Sequence, residues 1–481
     1  MNIAELTRKH PLYTLMIEEW KYLKTSYDGG EAYEHAALLY RYAYERDELL
    51  NKKTESNRYL ERLEQTPLDN QCKSSLHTYS SYLWRRKPQR DLGRLKEHFE
   101  TLAMLEDCDL EGTTIDEFMR QVEIHGHIFG HTWIVIDKSA KQYRTLAQER
   151  RAGARPYFVR YDPPSVWNWE FARSDNGQLE LTYLKVCETE TDKEGKIQQT
   201  IRIWTKELVE VYKISNGSIE EEAAVSVKNT LGIIPAVCHY SRTKKIHGIG
   251  VSEIEDVAKM QQSIYNDLSE MAQSIRNTNH NTLVKNAEDD ASAGAGAVII
   301  MDAGTESGKK PYLLQTQGFQ ITGLINSIKE KTDMINRMTH LSPVRNQRTQ
   351  TFSGEALKTE FQLLNALLNE MAASMQLTEK RLLRIFCKWI RRERDYESIA
   401  IIYPAKFELR DSKSDIELLK EAKALNVQSE AYQRELDKAI VNITMEDDAQ
   451  LEEINQQLDT ANYSLEPAPP APAGAAAAAA V

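Results

Sequence analysis

Paired cysteines, long apolar runs and nucleotide-binding loops are all missing from this chain. Its five cysteines, Cys72, Cys108, Cys187, Cys238 and Cys387, are scattered without paired spacing. That pattern gives neither a disulfide framework nor a cysteine zinc site, and a reducing compartment is the simpler setting. No apolar run approaches the roughly 20 residues that a membrane helix needs. The segment Met1-Asn2-Ile3-Ala4-Glu5 has no basic stretch followed by an apolar core, so no signal peptide is expected. A soluble intracellular protein, with no membrane partner, is the expectation. No internal repeat at a solenoid period is present.

Catalytic signatures are equally scarce. Gly304-Thr305-Glu306-Ser307-Gly308-Lys309-Lys310 comes nearest to a phosphate-binding loop. Such a loop needs four residues between its glycines and a Ser or Thr after the lysine. Here the spacing is one short, Lys310 stands in the hydroxyl position, and Pro311 follows where a helix would have to begin. The segment reads as a turn, which argues against an ATP-driven motor. His125, His127 and His131 are the densest histidine group, and His127 and His131 would share a helix face as paired ligands do. No neighbouring Cys or carboxylate completes a set, so a structural role at a helix–strand junction is expected. No nucleophile elbow or Cys-His constellation occurs. No cofactor, no metal and no catalytic residue is expected.

What is present is length and acid. The 481 residues imply two to four domains and a large core. With 61 Lys and Arg against 72 Asp and Glu, the net charge is −11. A protein that grips nucleic acid over a broad surface needs clustered cations, so that function is disfavoured. A conduit through which DNA passes is compatible, because an acidic wall repels phosphate.

Residues 11 to about 105 have a helical pattern. Tyr13, Met16, Ile17 and Trp20 mark one apolar face, and Ala36, Leu39, Tyr40, Ala43 and Leu50 another, with Asp28-Gly29-Gly30 as the break. The dense tyrosines Tyr33, Tyr40, Tyr42, Tyr44 and Tyr59 read as packing residues with a polar tip. Arg85-Arg86-Lys87 with Arg90 reads as a solvated helix end. Thr114 and Glu117 make a capping box for a helix ending near Gly126. Strands are then expected at 131–137, 157–161, 166–170, 178–188, 200–204, 209–213 and 233–237, with Asp175-Asn176-Gly177 and Ser215-Asn216-Gly217 as hairpin turns.

The stretch 251–392 organises the rest. A helix is expected from Ser252, capped with Glu255, with Ile254, Val257, Met260, Ile264, Leu268, Met271 and Ile275 on its apolar face. Glu253, Asp256, Asn266, Asp267 and Glu270 take the other face. Over 252–277 it would be roughly 39 Å long at about 1.5 Å per residue. A small β insert follows, with short strands at 282–284, 298–301 and 312–314. Glu288-Asp289-Asp290 and an Ala/Gly run at 291–297 separate the first two. A second helix over about 320–340 is stopped by Ser342-Pro343. A polar loop carrying Arg345 and Arg348 leads to a very long helix from Ser353 to Arg392. Strand-like 399–403 and 407–409 are expected to rejoin the central β block. An acidic helical stretch over 415–458 carries Leu418, Leu419, Leu425, Tyr432, Leu436 and Ile440 on one face. The Pro/Ala-rich end cannot bury enough surface to order itself.

This order of elements, with Ser353-Gly354-Glu355-Ala356-Leu357-Lys358 opening the long helix, resembles the portal proteins of tailed double-stranded DNA bacteriophages. The resemblance runs in element order from about 11 to 458 and is most specific over 251–392. It implies an α+β, mainly helical fold with wing (1–251, helical to about 130, β-rich over about 131–240), first stem helix (252–278), clip (279–317), second stem helix (318–341) and tunnel loop (342–352). The long wing helix with returning strands (353–411), a crown (412–460) and a disordered Pro/Ala tail (461–481) complete it.

By the same resemblance, twelve copies form a ring at a capsid vertex of the virion. Double-stranded genomic DNA passes through without being read in sequence. The terminase large subunit, a head–tail adaptor, and the major capsid and scaffolding proteins are the partners, met in host cytoplasm during assembly. Arg345, Asn346, Gln347 and Arg348 are the implied DNA-facing loop. Lys329, Lys331 and Arg337 form further tunnel charges, or pair between subunits with Glu253, Asp256, Asp267 or Glu270 of the first helix. Asp289, Asp290, Lys309 and Lys310 are candidate clip contacts. Two other readings stay open. One is a different head-assembly or adaptor protein; the other is a metal-dependent nuclease built on the acidic clusters and the His125/His127/His131 group.

Overall fold

The computed structural model describes residues 2–54, 57–139, 145–191, 195, 197–215, 218–220, 224–279, 282–284, 306, 312–314, 319–345, 354–404, 407, 419–424, 427, 429–444 and 448–460. The chain divides into two compact units, Met1–Phe407 and Glu408–Val481.

The first unit begins with α1 (Ile3–Thr7) and α2 (Pro11–Asp28), with Pro at the start of α2 where its missing N–H costs nothing. Tyr13, Trp20 and Leu23 are its buried apolar residues. The expected break falls at Gly29 (φ 67), where a Cβ would lie 2.5 Å from Asn70 Nδ2. After α3 (Gly30–His35) the anticipated apolar face through Ala36 and Tyr40 is interrupted, because Ala37 is left-handed (φ 52). The chain reforms as α4 (Ala43–Lys52), α5 (Asn57–Gln65) and α6 (Gln71–Leu83). Tyr33, Leu39, Tyr59, Leu63 and Tyr265 make a small core of their own. Tyr33 and Tyr59 are therefore packing residues as expected, whereas Tyr40 and Tyr44 are exposed.

A short strand, β1 (Gln89–Asp91), interrupts the helical region before α7 (Phe99–Glu106) and α8 (Ile115–Phe129). This corrects the solvated-helix-end reading of the basic run: Arg85, Arg86 and Lys87 are exposed, but the Arg90 side chain is only 10% exposed. Thr114 accepts from the Glu117 N–H at the start of α8, which runs three residues beyond Gly126 and ends at left-handed Gly130.

β2 (His131–Asp137), α9 (Leu146–Arg151) and β3 (Tyr157–Tyr161) lead to β4 (Val166–Arg173), β5 (Leu179–Thr191), β6 (Ile197–Thr205), β7 (Leu208–Ser215) and β8 (Ser218–Ile219). The last five form the expected antiparallel meander, and β9 (Val225–Lys228) pairs on β7. Trp169, Leu184, Val186 and Trp204 are buried on one face of this sheet, and Cys187, Ile201 and Ile203 on the other. β10 (Ala236–Tyr240) departs from expectation in two ways. It starts three residues late, because Pro235 has no N–H to give a ladder, and it pairs with β2 in a separate sheet ordered β10-β2-β3. β11 (Lys244–Ile246) and β12 (Ile249–Gly250) form a small hairpin.

The organising stretch is α10 (Glu255–Asn279), β13 (Thr282–Val284), β14 (Tyr312–Leu314), α11 (Phe319–Met338), α12 (Ser342–Arg345) and α13 (Gly354–Trp389). β13 and β14 pair antiparallel with each other. The anticipated capping box at Ser252 and Glu255 is not the start of α10. The Ser252 hydroxyl instead donates to the Ile128 carbonyl at 2.7 Å, at the carboxyl end of α8, where helix carbonyls need donors. α11 stops at Met338, earlier than Ser342-Pro343 would force, with His340 left-handed (φ 54). Finally β15 (Ala400–Ile402) pairs with β1 and not with the central β block. Phe407 is in no strand.

Trp20, Leu76, Met119, Trp133, Ile264, Met371 and Phe386 belong to one core that joins α2, α6, α8, β2, α10 and α13. The second unit contains α14 (Glu430–Thr444) and α15 (Asp448–Thr460), with Leu436 buried and Lys438 paired to Asp459 at 2.7 Å. The strand at 298–301, the 216–217 turn, Ser353, Glu408, Leu409, Leu418, Leu425 and the 461–481 tail lie outside the described residues.

Candidate functional site

α10 and α11 pack along each other because Ile264 and Ile335 are buried and Leu268 and Ile328 partly so. Their polar sides are also joined. Asp267 accepts from Lys331 Nζ at 2.6 Å and from the Ser327 hydroxyl at 2.9 Å. Lys331 is thus paired within its own chain, as is Arg337, 3.3 Å from Glu330. Lys329 is exposed and without an ion pair among the described residues. Asn266 does not face solvent. Its side chain accepts from the Tyr40 N–H at 2.7 Å, while Gln262 donates to the Leu38 carbonyl, so the α3–α5 region is fastened onto α10. Arg62 completes that fastening: it forks onto buried Glu45, donates to the Tyr40 carbonyl and lies 3.8 Å over the Tyr42 ring.

Arg345 ends α12. It donates to Gln71 Oε1 at 3.1 Å, Asn336 Oδ1 at 3.3 Å and Ser74 Oγ at 2.7 Å, all neutral groups. Burial, only partly offset by Tyr79 and Asp69 nearby, holds this guanidinium below its ordinary range. Of the residues expected in the loop and the insert, Asn346, Gln347, Arg348, Asp289, Asp290, Lys309 and Lys310 lie outside the described residues.

The foot of α10 rests on a buried polar junction that sequence reasoning located only in part. Arg242 forks onto Glu253 at 2.9 and 2.7 Å and reaches Glu370 at 3.4 Å. Ser241 donates to Glu253 at 2.9 Å, and its oxygen lies 2.5 Å from His127 Nδ1. His127 Nε2 is 3.0 Å from Glu123, which is fully buried. Burial alone would raise the Glu253 carboxyl; the bond from Arg242 and the neighbouring His127 bring it below its ordinary value. His131, on β2 and not on the helix of His127, accepts from the Gly250 N–H at 3.3 Å. His239, missed from sequence because one strand histidine carries no signal, lies 2.8 Å from Thr378 of α13. Burial pushes both His131 and His239 down to about 3.

A second buried group is held on α13 by Glu379, the residue after Thr378. Arg90 forks onto Glu379 and also pairs with Asp116, while the Tyr403 hydroxyl donates to Glu379 at 2.6 Å. These groups hold elements together. His125 turns to Asp162, His127 to Ser241 and Glu123, and His131 to Gly250, so the three rings share no common point. Ser241 beside His127 has a nucleophile's neighbours but is 1% exposed. Among the described residues no cluster of three or more His, Cys, Asp or Glu is arranged to hold a metal ion.

Residues 162–463 match the family model described as phage portal protein, SPP1 Gp6-like. None of the curated proteins compared with the chain matches it. Among solved structures, a chain described as "Neck of empty GTA particle computed with C6 symmetry" aligns with a TM-score of 0.41 at 8% identity, over 76% of this chain and 89% of that one. The family rests on the sequence match, which covers well over half of the residues and takes in the meander, α10, α11 and the whole of α13: this chain belongs to the phage portal proteins of the SPP1 Gp6 type.

Proposed function

We propose that this portal protein assembles as a ring of twelve copies at one capsid vertex and forms the passage for genome entry and ejection. The observation that carries the reading is the run from α10 through the β13–β14 hairpin to α11 and α13, inside the matched region. In that reading α10 and α11 are the stem and the hairpin region is the clip. Residues 342–352 would be the tunnel loop, and α14 and α15 the crown. Asp289, Asp290, Lys309 and Lys310 would face the terminase large subunit first and a head–tail adaptor later. Arg348, repeated around the ring, would make a belt of positive charge on the DNA backbone without reading sequence. The role is structural: conduit and docking platform, resident in the virion. Native mass spectrometry of the purified 55.2 kDa chain tests it. A species near twelve times that mass, or a neighbouring ring number, supports the ring. A monomer that stays monomeric even with its scaffolding protein overturns it.

A further inference from the structure

From position 70 to 90 the chain has no aspartate or glutamate, although it carries 72 of them elsewhere. This acid-free stretch includes α6, and one side of that helix is open. Ser74, His77, Thr78, Ser81, Tyr82 and Arg85 line a shallow groove along it. Their spacing is that of a single helical stripe. The Thr78 and Ser81 hydroxyls are satisfied by the carbonyls of Ser74 and His77, so the floor is polar without being charged.

The cations around this groove lack counter-ions. Arg345 sits at one end, anchored through Ser74 and Gln71, with only neutral partners among the described residues. Arg120, exposed on α8, flanks the stripe and donates to Ser80. Arg85 and Arg86 are exposed at the other end and have no ion pair among the described residues. Lys87 beyond them is 3.8 Å from Asp116, which Arg90 already occupies. Several other cations of the first unit, Lys21, Lys24, Lys138, Arg155, Lys206, Arg242 and Lys331, are each matched to a carboxylate. Four guanidinium groups left unmatched on one face of an acidic protein make a local site for a polyanion.

We propose that the α6 face is a backbone-contact surface for double-stranded DNA, separate from the loop after α12. The choice of DNA as the polyanion rests on the portal reading. Arg85 lies eleven positions beyond Ser74, just past the end of α6; at helical rise this is roughly 16 Å, which spans about five phosphates of one strand at ~3.4 Å each. Arginine forks suit phosphate oxygens, and hydroxyls and tyrosine supply the neutral contacts that fix a backbone without specifying bases.

Full-length protein is titrated with a fluorescein-labelled duplex of arbitrary sequence across a salt series. Arg85→Ala/Arg86→Ala/Arg120→Ala is expected to weaken binding about tenfold or more at low salt. It should also lower the log–log salt slope by about two to three, since each lost phosphate contact removes ~0.9. Arg85→Lys/Arg86→Lys, which keeps the charge, should retain most of the slope. An unchanged slope in the alanine variant overturns the proposal. So does displacement of the duplex by polyglutamate at equal charge concentration, which would indicate an acidic protein partner instead. Native mass measured on the same samples keeps the two readings apart. Rings with an unaltered slope sink only the α6 surface, whereas failure to form rings sinks the ring reading, and the slope is still measured on whatever species is present.

Discussion

Asp267 and Lys331 meet at 2.6 Å across α10 and α11, with about a fifth of each side chain exposed. The pair is partly withdrawn from water, and the Ser327 hydroxyl supplies a second donor to the same carboxylate oxygen. Lys331→Ala leaves Asp267 with one neutral partner and should destabilise the folded chain by about 1–3 kcal/mol in chemical denaturation. Asp267→Asn/Lys331→Met should recover most of that loss, because no unpaired charge remains. If Lys331 instead served mainly as a free charge in a channel, the single variant would leave stability unaltered.

Arg90 is the only cation within reach of Glu379 among the described residues, and the Glu379 side chain is 1% exposed. Removing the guanidinium strands a buried carboxylate. Arg90→Ala should therefore cost about 3–5 kcal/mol, and Arg90→Lys should recover only part of it, since an ammonium cannot fork. Thermal unfolding of the three proteins under one buffer gives the order.

Acid should loosen the junction beneath α10. Burial lowers His131 and His239 from 6.5 to about 3, so the folded chain binds fewer protons there than the unfolded chain. Stability is then complete above pH 6.5 and is lost as pH falls toward 3. Between pH 7 and pH 5 each histidine should remove about 2 kcal/mol. Glu253, whose carboxyl is lowered, loses its contribution only below that window. His239→Asn should flatten the slope by about half in denaturation curves taken across pH.

At Gly130 (φ 81) a Cβ would stand 2.5 Å from the Val251 carbonyl carbon and 2.6 Å from that of Gly250. Both the left-handed backbone and the contact oppose a side chain, so Gly130→Ala should destabilise by at least about 2 kcal/mol. Hydrogen exchange should show the loss first in the 249–254 segment that rests on it.

Deleting residues 285–310 should leave the number of subunits in the ring unaltered and abolish co-sedimentation with the terminase large subunit. Unimpaired co-sedimentation would place the motor contact elsewhere.

Features fixed by near neighbours were legible from sequence. Thr114 with Glu117 marked the start of α8, Gly177 the β4–β5 turn, and the apolar period of α10 and α11 their pairing faces. What escaped was set by distant partners. Ser252 looked like a helix cap, but the free carbonyl of Ile128, 124 positions away, takes its hydroxyl. Arg90 looked solvated because Glu379 lies 289 positions on. His131 looked helical beside His127 until Gly130 turned the chain into β2. For the expected site, the pairing of Lys331 and Arg337 depended on which acids faced them, and one-dimensional spacing offered several.

The β1–β15 ladder also imposes an order on synthesis. Arg90 emerges from the ribosome 289 residues before Glu379. At roughly 5–20 residues per second, the first strand waits about a quarter of a minute to a minute for its mate. During that interval the amino-terminal helices can begin to collapse around Trp20, Leu76 and Met119. Arg90 must stay hydrated until the returning helix arrives. The last residues of the first unit thus act as the zip that completes its earliest ones, and a nascent chain halted short of position 402 should remain open to protease near position 90.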